Sequence, residues 1–156
     1  MAVHVDVHGA PRARLGAALV KRRATRMLAA LRLPGAELSI VLCDDATIQA
    51  LNRAYRKKDR PTDVLAFAMR EGPHAELAGA MLGDVVVSLD TAARQAAARG
   101  VPLDREVTML VAHGLLHLLG HDHATKIEER RMSARTDALI AAAIPRKIAT
   151  DRPKLR

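Results

Sequence analysis

The stretch Glu37-Leu-Ser-Ile-Val-Leu-Cys43-Asp44-Asp45-Ala-Thr-Ile48-Gln-Ala-Leu51 holds two kinds of element in succession. Glu37 to Cys43 is a continuous apolar run of strand length. Asp44 or Asp45 then caps a helix whose Ile48 and Leu51 face inward. Upstream, Val3 to His8 alternates Val-His-Val-Asp-Val-His, a period of two that predicts a strand with one buried face and with His4 and His8 on the other. Between these strands a basic helix is expected from about Arg12 to Leu31. Its apolar stripe is Leu15, Leu19, Met27 and Leu31, and Pro34-Gly35 ends it.

Downstream, Tyr55 to Thr62 is charged and stopped by Pro61, so it reads as a loop. Asp63 to Met69 and Asp84 to Leu89 read as two further strands, with a Gly- and Pro-containing connection that carries His74. The rest is helical. Thr91 to Ala98 is a short Ala-rich helix closed by Gly100, and Pro102 opens a helix that runs through Val107, Val111 and Leu115 to a stop at Gly120. Glu128 to Ala143 is the last helix. The expectation is a single α+β domain over 1–145. It has a small, mostly four-stranded sheet packed with about five helices, followed by a basic, flexible tail at 146–156.

Composition narrows the function. At 156 residues, 49% hydrophobic and 27% charged, the chain fits one globular domain. Aromatic residues are 1%: Tyr55, Phe67 and no Trp, so the chain has almost none of the aromatic side chains on which OB or RRM modules stack bases. Any RNA contact then rests on charge and on the reaction site. The net charge of +8 points to a polyanionic partner. Cys43 is the one cysteine, so there is no intramolecular disulfide, and its apolar surroundings mark a buried thiol. No signal peptide opens the chain and no apolar stretch approaches the roughly 18 residues of a membrane span, so a cytoplasmic protein without a membrane partner is expected.

The chemistry concentrates at His113-Gly-Leu-Leu-His117-Leu-Leu-Gly120-His121-Asp122-His123, where four of the seven histidines fall. Residues four apart share a helix face, so His113 and His117 project side by side at metal-chelating distance. Gly120 lets the chain turn back, and His123 then approaches from a second direction. Three imidazoles on one side of an ion leave positions open for water or substrate, the layout of a catalytic zinc site on a C-terminal-half helix and the turn after it. Nickel, copper and iron also accept imidazole. Burying this many imidazoles without a purpose carries a desolvation cost at each one. A zinc peptidase of the His-Glu-x-x-His type needs Glu after the first histidine, and here that residue is Gly114.

At these residues the chain resembles the YbeY endoribonucleases, bacterial rRNA maturation factors with the pattern His-Gly-x-Leu-His-Leu-x-Gly-Tyr-Asp-His. Two further stretches are similar to that family in order and spacing: Asn52-Arg-x-Tyr55-Arg56-x-Lys58-Asp59-x-Pro61-Thr62-Asp63-Val64-Leu65-x-Phe67, and Leu82-Gly83-Asp84-Val85-Val86-Val87-Ser88. The resemblance implies a zinc-dependent, single-strand-specific endoribonuclease acting in 3′-end maturation of small-subunit ribosomal RNA and in ribosome quality control. It implies one zinc per chain on His113, His117 and His123, a functional arginine at Arg56, and the small ribosomal subunit with its associated proteins as partners. His121 stands where the family has Tyr and adds a fourth imidazole; Ala68 stands where the family often has Pro.

In this reading His113 and Arg56 are catalytic: the metal activates water or polarises a phosphate oxygen, and guanidinium binds phosphate in a forked geometry. Asp122 either orients a ligand histidine, acts as general base, or forms the turn. Two other functions fit the same residues. One is a non-catalytic ribosome-assembly factor whose zinc fixes the C-terminal loop; the other, given Gly114, is the weaker peptidase. The expected RNA surface comprises Lys21, Arg22, Arg23 and Arg26, then Arg53, Arg56, Lys57, Lys58 and Arg60, and the tail residues Arg146, Lys147, Arg152, Lys154 and Arg156.

Overall fold

The computed structural model describes residues 3–69, 80–121 and 124–145. The elements follow as β1 (Val3–Val7), α1 (Ala17–Ala30), β2 (Glu37–Cys43), α2 (Asp45–Arg56), β3 (Val64–Ala68), β4 (Met81–Ser88), α3 (Leu89–Arg99), α4 (Leu103–Leu118) and α5 (Lys126–Ala143). The four strands make one sheet in the order β1-β2-β4-β3, parallel except for β3, which runs antiparallel to β4 at one edge. The α+β class, the four strands and the five helices agree with the sequence reading. His74 and the tail 146–156 lie outside the described residues.

Both faces of the sheet are covered, which explains the unbroken apolar run of β2. Leu38, Ile40 and Leu42 of β2, with Val85 and Val87 of β4, enter the main core among residues of α1, α3, α4 and α5. Cys43, Val86 and Leu65 point to the opposite face, where Ile48 and Leu51 of α2 cover them. Burial pushes the Cys43 thiol up to about 12, helped by the nearby Asp44, Asp45 and Asp90 carboxylates, so it is an inert core residue.

The main departures are at element ends. The first helix starts at Ala17 rather than Arg12, because the Arg12 and Ala13 N–H groups donate to Asp90 Oδ1 (2.8 and 3.2 Å) and hold that segment against the start of α3. Its end at Ala30 is within one residue of the expected Leu31, closed by Arg32 at a left-handed φ of 61° and by Leu33 N–H donating to the Leu28 carbonyl. Strand β4 starts three residues earlier than expected, since Met81 and Gly83 already pair with β2. Helix α5 starts at Lys126, fixed by a capping box between Thr125 and Glu128.

Asp44 caps α2, accepting from Thr47 N–H at 2.9 Å, and also accepts from Ala10 N–H at 2.9 Å. The Ala10 N–H, and then Thr47, hold its carboxyl down at about 2, below the ordinary 3.8. A depressed folded value adds stability above the unfolded pKa, and this stability is lost as pH falls from about 4 towards 2. Asn keeps the cap but not the charge. Asp44→Asn is therefore expected to lose about 1 kcal/mol at neutral pH, after allowance for solvent screening, and to show a flatter loss of stability below pH about 4 in urea titrations.

Candidate metal centre and cleft

Helix α4 carries the two histidines because its other faces are buried. Val107, Leu110, Val111, Leu115 and Leu118 are in the core, while His113 and His117, half-buried, emerge on one side. Their Nε2 atoms converge to 3.2 Å, with ring centroids 4.7 Å apart and planes at 70°. Two imidazoles about 2.0–2.1 Å from one tetrahedral zinc hold their nitrogens roughly 3.3 Å apart, so this pair fits a shared metal ion. The residue directly after His113, Gly114, is set by packing. A Cβ there would lie 2.7 Å from Val85 Cγ1 and 3.4 Å from Val64 Cγ2, so α4 sits too close to the sheet for a glutamate at this position.

At its C-terminus α4 closes with Gly120 at φ 90°. Gly120 N–H donates to the His117 carbonyl and His121 N–H to the Leu116 carbonyl. Asp122 and His123 lie outside the described residues. Among the described residues no cluster of three metal-binding side chains occurs. His121 is drawn to α5: its Nδ1 is 2.9 Å from Arg135 Nη1. Arginine can only donate, so Nδ1 is the acceptor and the ring proton sits on Nε2, a tautomer set by the hydrogen bond. Desolvation and the Arg135 charge both lower the His121 pKa and favour this neutral form.

The two histidines face a cleft of about 690 Å³ between α4 and the whole length of β3, with Arg56 and Asp63 at its border. Ser88 N–H donates to Asp63 and Met69 N–H to Leu82, so the odd-numbered residues of β3 bond to β4. The peptide groups of Val64, Ala66 and Ala68 therefore point to the open edge. Arg56 reaches this edge: its Nη2 donates to the Ala66 carbonyl at 2.8 Å, and its guanidinium lies 5.2 Å from the Phe67 ring centroid. A long exposed cation is thus pinned on the rim, opposite the histidines. Sequence reading paired His113 with His117 on one helix face and took Arg56 from the family resemblance, and the fold brings the three together across β3, which belongs to neither helix.

Two residues of the second motif had no role assigned from sequence. The Asn52 side chain, on a residue only 3% exposed, donates to the Arg60 carbonyl at 2.9 Å while its backbone carbonyl accepts from Lys58 N–H, so it holds the loop that follows Arg56 against the end of α2. Phe67 closes the same motif, and its ring lies beneath the Arg56 guanidinium as a support. The basic clusters separate as well. Arg23 pairs with Asp104 at 2.8 Å and Arg26 donates to the Ala143 carbonyl, so both tie α1 to other helices, whereas Lys57, Lys58 and Arg60 are exposed near the cleft.

Known proteins share this arrangement of sequence. The chain is 46% identical over 124 residues to the endoribonuclease YbeY of Syntrophotalea carbinolica, covering 78% of this chain and 83% of the relative. It is 44% identical over 129 residues to that of Geobacter metallireducens, covering 81% and 86%. A solution structure of a Thermotoga maritima protein superposes with a TM-score of 0.63 at 20% identity, covering 90% of this chain and 88% of that one, a likeness of fold. The family model described as endoribonuclease YbeY matches residues 14–143, and with relatives this similar over most of their length the chain belongs to the YbeY family.

Proposed function

We propose that this chain is a zinc-dependent endoribonuclease that cuts single-stranded RNA in 3′-end maturation of small-subunit ribosomal RNA and in ribosome quality control. The observation that carries it is the convergence of the His113 and His117 Nε2 atoms at 3.2 Å on a cleft whose opposite rim holds Arg56. In this proposal His113, His117 and His123 hold the metal. His121 is left out because its one lone pair faces Arg135. A bound divalent ion supplies Lewis acidity toward water or a phosphate oxygen.

The chain's own groups do the rest. Arg56, held by Ala66 and Phe67, presents positive charge where negative charge builds on the phosphate, without reorganising at the moment of reaction. Exposed Lys57, Lys58 and Arg60 draw the backbone of the RNA to the same rim. Asp122 directly precedes His123 in the chain and takes the role of orienting a ligand histidine or accepting a proton.

Purified protein is expected to contain about one divalent metal per chain by elemental analysis, on the one-ion geometry of three imidazole ligands. It is expected to cleave a precursor of the small-subunit RNA 3′ end, to stop after chelation, and to recover when zinc is restored. Cleavage that survives complete chelation would sink the metal-dependent reading.

A further inference from the structure

The two aromatic residues of this chain, Tyr55 and Phe67, meet on the α2 side of the edge strand β3, next to Arg56, which lines the cleft. Their ring centroids are 5.3 Å apart at an interplanar angle of 63°, so Phe67 braces Tyr55 edge to face. The Phe67 ring is half-buried against the cluster of Cys43, Ile48, Leu65 and Val86, whereas Tyr55, in the last turn of α2, is 66% exposed. No hydrogen bond of the Tyr55 hydroxyl occurs among the described residues. The neighbouring side chain is the pinned Arg56, and Lys57, Lys58 and Arg60 follow, all exposed.

We propose that Tyr55 is a stacking platform for one unpaired nucleobase of an RNA strand that passes out of the cleft over Arg56. This rests on the reading of the cleft as an RNA site and gives its single-strand preference a physical origin. An aromatic face held at one orientation loses little freedom when a base lies on it. Stacking accepts any base, because each has a π-face, but it needs a base whose face is free, and a duplex offers none along its length. The flanking phosphates fall to Arg56 and the basic loop. The scarcity of aromatic residues excludes an extended stacking surface, but it leaves room for a single-base one.

The chain has one Tyr and no Trp, so its intrinsic emission comes from Tyr55 alone. Metal-loaded protein is titrated with a short single-stranded 2′-O-methyl RNA, and in parallel with inorganic polyphosphate, which offers charge without bases. The oligonucleotide is expected to quench the emission by at least about half and polyphosphate to leave it unchanged, as stacking rather than charge is the cause. Tyr55→Leu, an exposed change that keeps helix propensity, is expected to weaken oligonucleotide binding about tenfold and leave polyphosphate binding intact, while Tyr55→Phe binds both as the parent does. Parent-like oligonucleotide affinity in Tyr55→Leu, or an equal loss of polyphosphate binding, overturns the platform while the RNA site stands. Absence of oligonucleotide binding by the parent protein overturns the RNA site, and the platform with it.

Discussion

Gly83→Ala is expected to destabilise the protein by about 4 kcal/mol, combining backbone strain and overpacking. Gly83 sits inside β4 at φ 143°, where an L side chain is strained. A Cβ there would run into the Phe67 carbonyl oxygen and would lie 3.0 Å from both Ala68 Cα and Leu118 Cδ2. Two of these three neighbours are backbone, so β3 itself must move away. Native domains are stable by only about 5–15 kcal/mol, so the change removes a large share of the whole. The damage reaches the site, because the strand that shifts carries the Ala66 carbonyl on which Arg56 rests. Urea unfolding measures the loss, and amide exchange along β3 should accelerate first. A variant within about 1 kcal/mol of the parent would mean that β3 yields cheaply, against the cost expected of overpacking.

Gly83 also shows what sequence reading reaches and where it stops. Period and apolar runs are local signals, so β1, β2 and the apolar stripe of α4 were legible from the chain alone. A glycine, however, reads as a boundary, and the fourth strand was expected to begin after it at Asp84. The structure uses the same glycine as a strand residue, because only a residue without Cβ permits that approach of β3. Gly114 is the parallel case on the helix. Its identity argued against a peptidase, while the reason for it, contact with Val85 and Val64, depends on a strand partner far away in sequence. The order β1-β2-β4-β3 is equally non-local, and so is everything that follows from it: the open edge, the cleft beneath it, and the anchoring of Arg56. The spacing His113 to His117 was legible because one helix face carries both residues. The acceptor role of His121 was not, because Arg135 comes from the next helix.

His117→Ala is expected to reduce RNA cleavage by about a thousandfold or more, since a metal acting as Lewis acid contributes several kcal/mol of transition-state stabilisation. Loss of one of two converging imidazoles removes half of the metal-binding face of α4, so metal content should fall with activity. RNA affinity is expected to stay within about threefold of the parent, because phosphate contacts come from guanidinium and ammonium groups on the other rim. His117 is half-buried at the cleft, so truncation opens no enclosed core cavity and the variant should fold. The two readouts separate the functions that the histidines could serve. In a zinc-stabilised assembly factor, losing the metal disturbs the loop after α4, and RNA binding falls together with any cleavage. In the nuclease, binding persists and chemistry stops. Equal loss of both would favour the structural role, and retained cleavage in metal-free His117→Ala would remove the metal from the reaction altogether. A peptide-hydrolysis assay on the metal-loaded parent completes the separation. With Gly114 pressed against Val85 there is no room beside His113 for the glutamate that a His-Glu-x-x-His peptidase uses as its general base, so no peptide hydrolysis is expected.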